Sequence, residues 1–131
     1  MKEYKEIQVA LLGLGTVGLG VYKVLQMQKE EMQHKIGTEI KIKKILVRNL
    51  EKAAGKIEDA SVLTDSWQEI VNDDEIQIVI EVMGGMEPAR TYIMEAMQAG
   101  KQVVTANKDL IAADGKELMD QAKKSGCDLL F

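Results

Sequence analysis

Apolar residues along the chain form short runs that alternate with longer stretches in which apolar positions recur every three or four residues. The runs have the length and the Val, Ile and Leu content of buried strands, and they lie at residues 7–12, 39–47, 61–64, 77–83, 102–105 and 127–131. The stretches with helical spacing predict helices over residues 16–32, 66–71, 89–99 and 114–124. This alternation indicates an α/β fold, a doubly wound parallel sheet of five to six strands with helices on both faces.

Local signals predict where several of these helices begin and end. Ser66 and Glu69 have the spacing of a capping box, and Pro88 stands at the first turn of a helix, where proline is favoured. Asp114 with Glu117 is predicted to cap the last helix. Three of the helices are followed by a glycine that is expected to end them, at Gly37, Gly100 and Gly126.

Composition narrows the class of protein. The chain has 131 residues, and we expect residues 1–131 to form a single domain. Its 17 Lys and Arg against 21 Asp and Glu give a net charge of −4, which disfavours nucleic-acid binding. No apolar run approaches the roughly 18 residues of a membrane span. The single cysteine, Cys127, excludes an internal disulfide and favours a reducing cytoplasm.

The sequence VALLGLGTVG at residues 9–18 joins the first predicted strand to the first helix. Gly13, Gly15 and Gly18 follow the pattern G-x-G-x-x-G, which in this position is typical of the dinucleotide-binding (Rossmann) fold. The first glycine permits the tight turn, the second lets a pyrophosphate approach the backbone, and the third lets the helix pack closely on the strand. The amides of Thr16 and Val17 then face the phosphates. A tight turn that binds no ligand is the alternative.

The end of the second strand indicates which dinucleotide binds. NAD-binding domains usually carry Asp or Glu there to bind the ribose hydroxyls, whereas residues 46–49 read LVRN. Arg48 offers forked donors to the extra phosphate of NADP, with Lys52 and Lys56 nearby, so we predict NADP and keep NAD as the alternative. A simply solvated arginine is the other interpretation. Arg48 lies 30 positions after Gly18, against about 20 in the usual pattern, which indicates a longer first helix and loop.

Two further strand ends carry glycine or polar residues. Gly84 and Gly85 follow the strand at 77–83 and leave room for the nicotinamide ribose, while Thr105, Asn107 and Lys108 follow the strand at 102–105. Doubly wound sheets bind ligands at the carboxyl ends of their strands, so we expect both groups beside the cofactor. Lys108 there can polarise a carbonyl or donate a proton. The alternative is a surface lysine that starts a loop.

Four segments carry a family resemblance: VALLGLGTVG at 9–18, EVMGG at 81–85, VVTANK at 103–108 and ANKDLIAADGKEL at 106–118. Together they closely resemble homoserine dehydrogenase, and the resemblance extends over residues 7–131. It implies the NAD(P)-binding domain of an enzyme that interconverts L-aspartate 4-semialdehyde and L-homoserine. That reaction serves threonine and methionine synthesis.

The resemblance also implies roles for individual residues. The pyrophosphate loop of the family matches Gly13, Gly15, Thr16, Val17 and Gly18. The family's basic residue for the NADP phosphate matches Arg48. Its contacts on the nicotinamide side resemble Gly84, Gly85, Thr105 and Asn107. A lysine between cofactor and substrate matches Lys108, which we assign as the catalytic residue of this chain.

This chain departs from the family in length. Family members are several times longer and continue into a region for substrate binding and dimerisation, which carries a second lysine, the usual proton donor, and the metal-ion site. We assign no metal ligand here, and we expect a fragment that binds dinucleotide but turns over substrate poorly, from an intact enzyme that is a homo-oligomer. The alternatives are a non-enzymatic NAD(P)-sensing module and a methyltransferase-like domain, which Arg48 disfavours.

Overall fold

The computed structural model of the chain describes residues 5–36 and 38–131, with side chains for residues 6–28 and 39–131. Gly37, predicted to end the first helix, lies outside the described residues. Along the described residues the elements are β1 Lys5–Leu12, α1 Thr16–Ile36, β2 Thr38–Leu46, α2 Leu50–Ala54, a 3₁₀ turn Ala60–Val62, β3 Leu63–Thr64, α3 Trp67–Val71, β4 Ile76–Glu81, α4 Ala89–Gln98, β5 Gln102–Thr105, α5 Lys108–Ser125 and β6 Leu129–Leu130.

These strands form one parallel sheet in the order β3-β2-β1-β4-β5-β6. This is the strand order of the doubly wound dinucleotide-binding sheet, and it confirms the predicted fold class. Strand β1 pairs with β2 on one side and with β4 on the other. The direction of winding therefore reverses beside β1, and at such a switch point the loops that follow the central strands leave a crevice.

The sheet lies between two apolar layers. Ala10 and Leu12 of β1 belong to the layer formed with α3, α4 and α5, whereas Leu11 belongs to the layer formed with α1 and α2. All three side chains are fully buried. Because both faces are covered, the central strand is apolar at successive positions, which is why it reads as a continuous run rather than an alternation.

Helix α5 begins at Lys108, six positions before the predicted start. Asn107 caps it, since its Oδ1 accepts a hydrogen bond from the Leu110 amide at 3.1 Å. Asp114 lies inside the helix at a kink, with φ −125° and ψ 16°. Both Asp114 and Glu117 form ion pairs with Arg90 of α4. The predicted cap is therefore wrong, and these carboxylates join two helices instead.

Helix α3 begins where it is predicted, with Ser66 at the N-cap, but the predicted capping box is wrong, because the Ser66 side chain makes no cap hydrogen bond. The Ser66 amide instead donates to Thr64 Oγ1 at 3.1 Å, and Glu69 accepts from the Thr64 hydroxyl. A threonine at the end of β3 thus provides the hydroxyl that the pattern assigned to the serine.

The segment between β2 and β3 also differs from the prediction. Residues 50–54 form α2, which the sequence does not predict because so short a helix shows no clear apolar period. Asn49 caps it by accepting from the Lys52 amide at 3.0 Å. The strand predicted at 61–64 is confined to Leu63–Thr64, since the 3₁₀ turn includes the residues before it.

The first turn of α1 lies against the ends of β1 and β4. Gly18 is buried there, and a Cβ at this position would overlap the Gly13 carbonyl oxygen and lie 3.2 Å from Val82 Cγ2. This is the close helix–strand packing that the third glycine of the motif permits. Gly20 lies in the same helix, but a Cβ there would have no atom within 4 Å.

Replacing Gly18 by alanine is expected to lower the free energy of unfolding by about 1–3 kcal/mol, the usual cost of over-packing. Gly20→Ala is the matched control, and it is expected to raise that free energy by about 0.5–1 kcal/mol, because alanine is the better helix former. Urea denaturation followed by circular dichroism measures both changes. Equal effects of the two substitutions would contradict the packing at Gly18.

Candidate dinucleotide-binding site

A cleft of about 660 Å³ opens at the carboxyl edge of the sheet, beside the switch point between β1 and β4. Its walls come from the loop after β1, the end of β2 with α2, the residue after β3, and the segment from β4 to α4. Among its lining residues are Gly13, Gly15, Arg48, Lys56, Asp65 and Tyr92. The fold therefore brings the glycine motif and the arginine at the end of β2 into one cleft.

The loop after β1 turns sharply at Gly13, whose φ of 104° is a value that residues with side chains rarely adopt. The Gly13 amide donates to Leu46 O at 2.9 Å, which ties the loop to the end of β2. Gly15 differs, because a Cβ there would have no atom within 4 Å. The space beside the Gly15 backbone is open, and a large polar group can approach the main chain there.

Helix α1 begins at Thr16, directly after this open corner. Thr16 and Val17 are exposed, and the first amides of a helix have no acceptor within the helix. The first turn carries no acidic side chain, so no negative charge in that turn opposes an anion. The corner therefore has room for an anion such as a diphosphate and a helix N-terminus that favours one.

The β2 side of the cleft is cationic. Arg48 is exposed, and among the described residues its guanidinium pairs with no carboxyl group. Lys56 Nζ donates to Leu14 O at 3.1 Å, which places its charge beside the glycine loop. Lys52 lines the same cleft from α2. This wall therefore offers forked donors to a further anionic group.

The wall contributed by α4 is aromatic. Tyr92 stacks on Trp67 with ring centroids 4.5 Å apart and 20° between the ring planes. Trp67 Nε1 donates to Glu95 Oε1 at 2.7 Å, which fixes the indole. Asp65, directly after β3, adds a carboxyl group to the cleft. Sequence reasoning missed Tyr92 and Asp65 because neither belongs to a motif.

The residues predicted for the nicotinamide side lie at the ends of β4 and β5, outside the lining of the cleft. Gly84 and Gly85 form an exposed turn with φ of 78° and 76°. Lys108 is exposed at the first position of α5. The turn and the lysine belong to neighbouring strand ends, because β4 pairs with β5.

Thr105 and Asn107, in contrast, are buried and hydrogen-bonded within the protein. Thr105 Oγ1 donates to Glu81 Oε1 at 2.5 Å and accepts from the Asn107 amide at 3.0 Å. Asn107 Nδ2 donates to Gly85 O at 2.6 Å. Both side chains therefore join strand ends to one another.

Glu81 is a residue at this edge that sequence reasoning missed as a functional candidate. It ends β4 and is 0% exposed. The sequence does contain a signal for this residue, because Glu81 is the one charged residue in the otherwise apolar stretch IVIEVM at residues 78–83.

Charged contacts hold α4 beside the cleft. A hydrogen bond to Glu117, reinforced by Asp114, raises the pKa of Arg90. The hydroxyl and the amide of Thr91 donate to Glu87 and lower the pKa of that carboxyl group. These contacts fix the end of α4 that carries Tyr92.

Within residues 5–36 and 38–131, no group of three or more His, Cys, Asp and Glu side chains is placed to hold a metal ion. No helix in the described part of the chain is both long and apolar enough to cross a membrane.

Comparison with known proteins agrees with this geometry. The model of the homoserine dehydrogenase NAD-binding domain matches residues 13–131. The homoserine dehydrogenase of Bacillus subtilis is 45% identical over 127 residues, which cover 97% of this chain and 29% of that protein. The homoserine dehydrogenase of Lactococcus lactis is 45% identical over 128 residues, covering 95% of this chain and 30% of that protein.

Solved structures give the same result. A homoserine dehydrogenase from Thiobacillus denitrificans is 44% identical with a TM-score of 0.88, over 97% of this chain and 29% of that one. A hyperthermophilic archaeal homoserine dehydrogenase, solved in complex with NADPH, is 25% identical with a TM-score of 0.76, over 96% of this chain and 43% of that one.

The chain thus spans about three-tenths of the length of the curated relatives it matches. The matched part contains the glycine loop, the end of β2, and the strand ends that carry Glu81 and Lys108. The chain belongs to the homoserine dehydrogenase family and is an NAD-binding domain of that family.

Proposed function

We propose that the chain binds NADPH and forms the cofactor side of an enzyme that transfers hydride between NAD(P)H and L-aspartate 4-semialdehyde, giving L-homoserine. The observation that carries this proposal is the open corner at Gly15, where no side chain separates solvent from the start of α1. The reaction is the one for which the relatives are named, and those relatives are more than three times as long.

The cationic wall supports NADP as the preferred cofactor. An acid that would bind the adenosine ribose hydroxyls is missing at the end of β2, where residues 46–49 read LVRN. The exposed Arg48 guanidinium can donate two parallel hydrogen bonds to a phosphate on that ribose. Lys52 on α2 adds a second positive charge.

We assign Lys108 as the catalytic residue of this chain. It is exposed at the start of α5, and the preceding residue, Asn107, is hydrogen-bonded to the Gly85 carbonyl. A bound dinucleotide would supply the hydride. The Lys108 ammonium would stabilise the negative charge that develops on the aldehyde oxygen. Gly84 and Gly85 would leave room for the nicotinamide ribose.

We further propose that the intact enzyme is cytoplasmic and homo-oligomeric. The cytoplasm is favoured by the single cysteine, Cys127, which is free. The family resemblance implies that the intact enzyme is a homo-oligomer.

Gly15→Ala tests the open corner. The added methyl group would occupy the space through which the diphosphate reaches the backbone amides, so NADPH affinity should fall by roughly tenfold to a hundredfold, the scale of hydrogen bonds to a charged group. Stability should change by less than about 0.5 kcal/mol, because the methyl group meets no neighbour.

Isothermal titration calorimetry with NADPH measures the affinity, and urea denaturation measures the stability. Gly20→Ala is the control, since it adds a methyl group to an equally open position on α1. Unchanged NADPH affinity in Gly15→Ala would contradict the site.

Arg48→Glu tests the choice of cofactor. Reversing this charge should weaken NADPH binding by roughly tenfold or more, because charge-assisted hydrogen bonds to the extra phosphate are lost. NADH binding should change little. Titration of the wild type and the variant with both cofactors gives the ratio of affinities.

Lys124→Glu makes the same change in net charge on the last turn of α5 and should leave that ratio unaltered. A wild-type chain that binds NADH more tightly than NADPH would refute the role of Arg48. Binding of neither cofactor would refute the proposed function as a whole.

The 131-residue chain on its own is expected to bind NADPH and to turn over substrate poorly or not at all. The reason is that it spans only 29% of the Bacillus subtilis relative. Homoserine oxidation by the isolated chain, followed as NADPH absorbance, measures this. A rate like that of a full-length homoserine dehydrogenase would contradict the expectation.

A further inference from the structure

Glu81 is a fully buried carboxyl group at the end of β4. No Lys or Arg of the described residues pairs with it, so its burial is not offset by an opposite charge. Burying an acid in this way is unfavourable unless hydrogen bonds replace its water. An apolar residue would be the less costly choice in this strand, and the position of the acid therefore requires an explanation.

The two oxygens of Glu81 connect different parts of the sheet edge. Oε2 accepts from the amides of Met83 and Gly84 at 2.9 Å and 3.2 Å, and so holds the start of the Gly84–Gly85 turn. Oε1 accepts from the Thr105 hydroxyl at 2.5 Å, at the end of the neighbouring strand. One side chain thus binds the segment after β4 and the segment after β5 together.

The same hydrogen bonds continue to the start of α5. The Thr105 oxygen accepts from the Asn107 amide at 3.0 Å, and Asn107 Oδ1 caps the helix through the Leu110 amide at 3.1 Å. Asn107 Nδ2 then donates to Gly85 O at 2.6 Å, which returns to the glycine turn. These bonds form a closed ring, and Lys108 is the residue directly after it.

We propose that Glu81 is a positioning residue for the nicotinamide half of the site, because its carboxyl group holds the Gly84–Gly85 turn and the Lys108 end of α5 at a fixed separation. The ring includes the exposed Gly84–Gly85 turn and borders the exposed Lys108, both assigned to that half, whereas the glycine loop and Arg48 lie outside it. The inference rests on the proposed binding of NADPH.

Glu81→Gln is the direct test. A glutamine keeps one acceptor oxygen for the turn amides but presents an NH2 group to Thr105, so the Thr105 hydroxyl hydrogen loses the acceptor that Glu81 Oε1 provides. We expect about tenfold weaker binding of NADPH, which corresponds to one net hydrogen bond. Binding of adenosine 2′-phosphate 5′-diphosphate, which lacks both the nicotinamide and its ribose, should stay within about twofold. A general loss of folding would weaken both ligands alike.

Glu75→Gln is the matched control, because it makes the same change in an exposed residue just before β4, at the opposite end of the sheet. It should alter neither affinity. Thr105→Val and Thr105→Ser provide a second test if Glu81→Gln does not fold. The valine removes the hydroxyl and should reproduce the selective loss, whereas the serine keeps the hydroxyl and should restore NADPH binding.

Calorimetry with both ligands distinguishes the outcomes. Loss confined to NADPH, in Glu81→Gln or in Thr105→Val, supports the positioning role. Equal losses for both ligands, no loss for either, or a wild type that binds the two ligands equally well would overturn it while leaving the proposed cofactor binding intact. A wild type that binds neither ligand would refute the proposed function, and this inference with it.

Discussion

The architecture of the site depends on one close approach, between the first turn of α1 and the loop after β1. Gly18 has no room for a Cβ because the Gly13 carbonyl and Val82 already occupy the space. The helix can therefore begin directly at the sheet edge, and its first amides lie beside the open backbone of Gly15. A side chain at the contact would push the helix away from the sheet, and the amides would no longer border the crevice.

The strand order then determines what surrounds that corner. Because β1 lies between β2 and β4, one wall of the cleft comes from the segments after β2 and the other from α4. The first wall carries Arg48, Lys52 and Lys56, and the second carries Tyr92, whose ring stacks on the buried Trp67 behind it. A ligand with a phosphate-rich part and a flat ring would find a matching surface on each wall.

The sequence predicts the elements whose signals are local and long. The glycine motif and the apolar run before it predict the junction of β1 and α1, and β5 has the predicted bounds, Gln102–Thr105. Helix starts are less predictable because competing polar residues flank them. Asp114 has the pattern of a cap, yet Asn107 caps α5 and Asp114 binds Arg90 on another helix. That ion pair depends on packing between α4 and α5, which no local pattern contains.

The candidate site likewise contains residues that a local pattern identifies and a residue whose contacts depend on the folded sheet. The glycine loop and Arg48 are predictable because each follows a strand in sequence, whereas Glu81 reaches the Thr105 hydroxyl only when β4 pairs with β5 in register.

The cleft side and the nicotinamide side of the site also differ in how many hydrogen bonds of the fold a substitution removes. Arg48 is exposed and unpaired among the described residues, so its replacement removes no hydrogen bond of the fold. Glu81 and Thr105 are buried members of a hydrogen-bonded ring, so removing the carboxyl group of one or the hydroxyl of the other leaves polar atoms without partners. Arg48 can therefore be replaced at the end of β2 without disturbing the strand ends next to Lys108.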